Sequence, residues 1–157
     1  MDMTMPQPRA EHAFLQKLVG RWRVSAEDMT DGEDWIEEVR SLNGIWFLAE
    51  GRGRMPGGAP ATTLLTLGHD SRTGRYVGSW IGTMMEHMWV YDGEISEDGS
   101  TLSLYTTGPS FADPSVTQAF REQIIFTGND SRIFTSSAQQ PDGGWQTFMR
   151  ADYARVA

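Results

Sequence analysis

One short helical stretch feeds directly into Gly20-Arg21-Trp22, and from there to the C-terminus every segment reads as a strand. After Arg9 the apolar residues Ala13, Phe14, Leu18 and Val19 fall at helical spacing, and Gly20 supplies the stop. About ten strand-like runs follow. They are Trp22–Met29, Trp35–Leu42, Ile45–Met55, Thr62–His69, Arg75–Ile81, Met84–Ile95, Thr101–Thr107, Gln118–Thr127, Arg132–Gln139 and Trp145–Arg155. Asn43-Gly44, Pro56-Gly57-Gly58, Thr73-Gly74, Asp98-Gly99, Gly128-Asn129 and Asp142-Gly143-Gly144 punctuate them as turns. Regular hairpin spacing with no second helix predicts an all-β, antiparallel up-and-down barrel with an N-terminal capping helix. A two-sheet sandwich is the alternative, but it leaves the helix before Gly20 unexplained.

The chain has 157 residues, enough for one core, so residues 9–157 are expected to form a single domain. Residues 1–8, with three Met and two Pro, show no periodicity and read as a flexible tail. There is no cysteine, which excludes disulfides, thiolate metal sites and a cysteine nucleophile. Neither an export signal nor a run of about 18 apolar residues is present, so a cytoplasmic protein with no membrane partner is expected. The net charge of -8, with arginines scattered singly among acidic residues, argues against nucleic acid.

Turn geometry predicts the interior. A two-residue turn at Asn43-Gly44 pairs Leu42 with Ile45, setting Val39 opposite Leu48, Glu37 opposite Glu50 and Trp35 opposite Arg52. The face with Trp35, Val39, Trp46 and Leu48 is then the inner one, and Glu37 and Glu50 point inward. A turn at Gly82-Thr83 pairs Trp80 with Met85, Gly78 with His87 and Tyr76 with Trp89, on a face shared with Leu65, Leu67 and His69. Such a surface describes an apolar pocket with a few convergent polar groups; a completely filled barrel is the plainer reading.

Several motifs extend this picture. Glu11-His12, Leu18-Val19-Gly20-x-Trp22, Glu38-x-Arg40-Ser41-Leu42-x-Gly44-x-Trp46 and Thr62-Thr63-x-x-Thr66-Leu67-Gly68-x-Asp70 resemble the bacterial domain-of-unknown-function family numbered 1579. Tyr76-Val77-Gly78-x-Trp80-Ile81-Gly82-x-Met84-Met85, Trp89-Val90-Tyr91-x-Gly93, Gly108-Pro109-Ser110 and Arg121 carry the likeness over most of the chain. The resemblance implies a lipocalin-like (calycin-like) barrel and a homodimer, with no established reaction. His69 stands where that family usually has Tyr, and Ser71 where it often has Pro. In a barrel of this kind the Gly turns the chain into the first strand. The Trp plugs the closed end beneath a basic side chain of the last strand, here Arg150 or Arg155.

Three chemistries fit these residues. The first is binding of a small, largely apolar molecule in the barrel, with Trp46, Tyr76, Trp80, Met85, Trp89 and Tyr91 as walls and Glu50, His87 or Arg121 giving polar orientation. The second is a small isomerase- or hydrolase-type enzyme using Glu37 with Glu50, or His87, as acid and base. Arg52 or Arg40 would instead neutralise the carboxylates. The third is a filled barrel acting through an apolar surface patch such as one around Trp35 or Phe111. His69 and His87 without a nearby acidic partner are a poor metal set, so no metal and no cofactor is expected, haem on one histidine being the alternative. His12 reads as a surface or capping residue. There is no phosphate loop, dinucleotide fingerprint or nucleophile elbow, and Gly108 to Ser115 reads as a lid over the barrel mouth or a plain surface loop.

Overall fold

The computed structural model describes residues 3–26 and 35–156. They form a closed antiparallel barrel in which each strand pairs with its sequence neighbours and β1 pairs with β10. The strands are β1 (Gly20–Ala26), β2 (Trp35–Leu42), β3 (Trp46–Arg54), β4 (Pro60–Asp70), β5 (Arg75–Gly82), β6 (Trp89–Ile95), β7 (Thr101–Pro109), β8 (Thr117–Gly128), β9 (Ser131–Gln139) and β10 (Trp145–Val156). The up-and-down barrel expected from the turn spacing is therefore the fold. The end of the first expected strand, beyond Ala26, lies outside the described residues.

Two connections differ from expectation. At Asn43-Gly44 both residues take positive φ, 56° and 71°, and Ile45 N–H donates to Leu42 O at 3.1 Å, as a tight turn requires. Yet the ladder resumes with Trp46 opposite Leu42, leaving Ile45 as an extra residue. That single insertion reverses the facing of β3. Phe47 and Ala49 are buried inside, while Trp46, 46% exposed, lies outside over Gly68, where a Cβ would collide with its ring. At Gly82-Thr83 the expected hairpin turn does not form; the chain turns one residue later, Met85 N–H donating to Gly82 O at 3.2 Å, while Thr83 N–H donates to Thr62 O and Thr83 Oγ1 accepts from Thr62 N–H, both at 3.0 Å, which carries the β4 pairing onward. β6 consequently starts at Trp89, and Trp80 pairs with Trp89, Gly78 with Tyr91 and Tyr76 with Gly93. The slip is an even number of residues, so the inner face of β5 and β6 is the expected one.

The helix is shorter than its periodicity suggests, a 3₁₀ turn at Ala10–His12 continuing into α1 (Ala13–Gln16). Phe14, Leu15 and Leu18 are buried at the closed end of the barrel. His12 is buried rather than superficial, and its Nδ1 accepts the Arg9 N–H at 2.9 Å. Trp22, fully buried, donates its Nε1–H to Leu18 O at 2.8 Å. Arg155, not Arg150, covers it: the guanidinium lies 4.3 Å from the Trp22 ring and donates to Val19 O (2.7 Å), Lys17 O (2.9 Å) and Asn129 O (3.3 Å), with Asp130 as its ion partner at 3.0 Å. Arg150 pairs with Asp152 instead. Arg155 thus satisfies carbonyls that the short helix leaves without partners. It also occupies the space a side chain at Gly20 would need, and Gly20 has φ 136°.

Charged-donor hydrogen bonds are worth about 1.5–3 kcal/mol each, so Arg155→Ala is expected to destabilise the barrel by about 2 kcal/mol or more. Arg155→Lys recovers less than half of that, because an ammonium cannot lie flat on Trp22 while reaching the same carbonyls. Urea unfolding midpoints of the two variants check this; a lysine variant as stable as the parent would contradict it.

Candidate functional site

Above the plugged end the barrel encloses a cavity of about 330 Å³, near the lower end of the range for small-molecule sites. The volume arises where inward residues are small: Gly51 on β3, Thr63 on β4, Ser136 on β9 and Ala26 and Ala151 on β1 and β10. Toward the plugged end Phe47, Leu67, Leu102 and Leu104 are buried, with a space of about 10 Å³ beside Phe47 and Leu67. The barrel is therefore solid at one end and hollow at the other.

Aromatic side chains make the upper wall. Trp89 meets Phe120 edge-on at 5.3 Å, and Phe111 contacts both Phe120 (5.5 Å) and Phe148 (5.6 Å). Trp35, Trp80, Met85 and Met149 complete it, and the Trp89 Nε1–H points at Met85 Sδ, 3.2 Å away. Phe111 is 63% and Phe148 48% exposed, which places them at the open rim. Phe148 and Met149 are consecutive yet both line the cavity because β10 bulges between Thr147 and Met149.

The floor is polar. Arg132, its side chain 3% exposed, donates to Glu37 Oε1 at 2.5 Å. Its guanidinium also lies over Trp22 (4.5 Å) and Tyr153 (3.9 Å), so the plug tryptophan is covered by an arginine on each side. Glu122, on the inward face of β8 between Phe120 and Ile124, accepts a hydrogen bond from Ser136 Oγ. Burial pushes the Glu122 carboxyl up to about 7, although the Ser136 hydroxyl works in the opposite sense. What surface Glu122 exposes faces the cavity. Burial also raises the phenols of Tyr91 and Tyr153, with the Glu122 and Glu37 carboxylates adding to the effect, so both stay protonated near neutrality.

Of the residues singled out from sequence, Glu37, Trp80, Met85, Trp89 and Tyr91 line the cavity together. Five others do not. Trp46 and Glu50 face outward because of the extra residue Ile45, and Glu50 pairs with Arg52 at 2.8 Å. The expected Glu37–Glu50 carboxylate pair is therefore absent. Tyr76 points inward but sits at the closed end, its hydroxyl donating to Glu11 O at 2.7 Å. His87 lies in the loop before β6 with its ring on Trp89, 4.4 Å between centroids. Arg121 faces outward, as its strand neighbour Phe120 faces in, and stacks over Trp145 at 5.0 Å. His69 lies by the helix, 3.2 Å from Arg9 Nη2, so the two histidines are not brought together and neither is placed to ligate an iron in the cavity. No group of three metal-ligating side chains occurs among the described residues.

Glu122, Arg132 and Tyr153 were not singled out from sequence. The alternation Phe120-x-Glu122-x-Ile124 was the legible signal for the first, since it puts a carboxylate on an apolar face.

Two consequences are measurable. A folded-state value of about 7, raised above the ordinary 4.5, means that Glu122 contributes stability below pH 4.5 that is lost as the pH rises through 7. The stability gain of Glu122→Gln over the parent should therefore be greater at about pH 8 than at about pH 4.5, by roughly 2–3 kcal/mol in urea unfolding. A pH-independent difference would contradict the assignment. Glu37→Gln strands the Arg132 charge and should cost about 3–5 kcal/mol in the same experiment.

A family description, "Protein of unknown function (DUF1579)", matches residues 7–155. No curated protein matches the chain. Among solved structures, the S-type phycobiliprotein lyase CPES from Guillardia theta is 16% identical, with a TM-score of 0.55 over 95% of this chain and 94% of that one. A redesigned β-barrel is 12% identical with a TM-score of 0.46, covering 90% and 94%. The redesigned barrel mFAP1, bound to DFHBI, is 15% identical with a TM-score of 0.42, covering 90% and 96%. At 16% identity the likeness to the Guillardia theta protein is one of fold.

Proposed function

Because the chain belongs to the DUF1579 family, whose description records no function, we propose from the geometry that it binds a small, largely apolar molecule in the hollow half of the barrel. The observation that carries this reading is the division of the interior: a filled, plugged end beneath an aromatic chamber of about 330 Å³ whose rim rings are exposed. A barrel that served only as a scaffold would gain stability from larger side chains where Thr63, Ser136 and Ala151 stand. The Guillardia theta neighbour is named as a phycobiliprotein lyase, and likeness to that barrel supports a fold able to take such a ligand.

Glu122 favours acid–base catalysis as a second reading, since a cavity carboxyl near 7 can give or take a proton at neutral pH. Glu37 is held in its ion pair, and Glu50 and His87 lie off the cavity, so Glu122 replaces them in that role. A homodimer in the cytoplasm remains our proposal for its assembly and location; no helix among the described residues is long and apolar enough to cross a membrane.

Native mass spectrometry of the purified chain, followed by denaturing extraction, tests the binding reading. A discrete bound mass is expected. Its retention should fall about tenfold in Phe111→Ala, which removes an exposed rim ring without disturbing the core, and stay unchanged in the outward Glu50→Gln. Equal retention in both variants would sink the proposal.

A further inference from the structure

Resting on that binding reading, we propose that the cavity selects a lipophilic amine or other organic cation, whose positive group lies between the Glu122 carboxylate and the aromatic wall.

The argument begins with charge. Among the described residues, three ionisable side chains other than phenols line the cavity: Glu37, Arg132 and Glu122. Arg132 is already compensated by Glu37, and both faces of its guanidinium are covered, by Trp22 and by Tyr153. With 3% of its side chain exposed, it offers almost nothing to a ligand anion. Among the described residues Glu122 has no ion-pair partner; its hydrogen-bond partner is the neutral Ser136 hydroxyl. Once Glu122 is ionised, the described lining therefore carries one uncompensated negative charge.

The walls have the same preference. Aromatic faces attract cations, most strongly where water is excluded, and Trp80, Trp89, Tyr91 and Phe120 all border the same space as Glu122. The groups facing Glu122 from other strands reinforce this. Tyr91 on β6 and Tyr153 on β10 stay protonated, Glu37 on β2 is negative within its pair, and Arg132 on β9 is its fixed counter-charge. A ligand carboxylate would meet Glu122, and the guanidinium that borders the cavity, Arg132, is paired with Glu37 and keeps its unpartnered Nε–H buried. The net charge of -8 favours the approach of cations in general.

Proton linkage distinguishes this from simple apolar capture. The empty cavity holds Glu122 largely protonated below about pH 7, so a cation must first displace that proton. Cation affinity should rise with pH up to about 7 and then level off, whereas carboxylate affinity should fall over the same interval.

The test is a fluorescence titration of the full chain with three dansyl probes of equal chain length: monodansylcadaverine, which carries an ammonium, 6-(dansylamino)hexanoate, and neutral N-hexyl dansylamide. At about pH 8 the ammonium probe should bind about tenfold or more tighter than the carboxylate probe. That preference should shrink at about pH 5.5 and disappear in Glu122→Gln, which keeps the shape of the site, while Glu50→Gln retains it. A carboxylate probe that binds as well as the ammonium probe, or a preference that survives Glu122→Gln, would overturn the cation proposal while binding of the neutral probe upholds the cavity. If none of the three binds, the binding reading fails and this one with it.

Discussion

The structure depends on how one indole is held. Trp22 closes the barrel, and an arginine covers each of its faces, Arg155 from the helix side and Arg132 from within. The outer arginine welds the last strand to carbonyls at the end of the short helix, so closure of the β1–β10 seam and docking of the helix are one event. The inner arginine has a different consequence. A guanidinium cannot be buried unpaired, and Glu37, directly opposite Trp22 on β2, supplies the carboxylate. Plugging the barrel in this way makes the floor of its chamber ionic.

That floor sets the character of everything above it. A cavity sealed by aliphatic side chains would be featureless at its base, whereas here Arg132, Glu37 and Tyr153 form a neutralised layer on which Glu122 stands as the remaining acid. Polarity then declines toward the mouth, where Trp89 meets Phe120, Phe120 meets Phe148 and Phe148 meets Phe111 edge to face. The gradient orients a molecule with one polar end and one flat apolar end. Position along β8 produces it directly, since Phe120, Glu122 and Ile124 succeed one another on the inner face from rim to core.

Turn chemistry and period-two alternation made the strand order legible, because each hairpin is local and no pairing other than the closing β1–β10 seam spans the chain. The closing residue was legible only through the resemblance, which left Arg150 and Arg155 open; Arg155 lies opposite Trp22, while Arg150 pairs with Asp152. Which residues line the chamber was harder. The turn at Asn43-Gly44 has the expected dihedral angles, yet one extra residue after it, Ile45, inverts β3 and sends Trp46 and Glu50 outside. At Gly82-Thr83 the larger error in pairing did no harm to facing, because it was even. Local patterns therefore specify which strands exist and leave parity to details of one residue. Arg132 illustrates the same limit: beside the turn at Gly128-Asn129 it reads as a surface arginine, and only closure of the barrel brings it to Trp22 and Glu37.

The hollow half is not an accident of imperfect packing. Its small inward residues come from five different strands, Ala26, Gly51, Thr63, Ser136 and Ala151, and all border the same cavity. Toward the plug, Phe47, Leu67, Leu102 and Leu104 are buried and leave no comparable space. Ser136 shows why this space is also chemically defined. A larger apolar residue there would fill the chamber and remove the one hydrogen bond that Glu122 receives, leaving a buried carboxyl without a partner. Space and polarity are thus supplied by the same position, so the chamber could not be filled there without also changing the state of its acid.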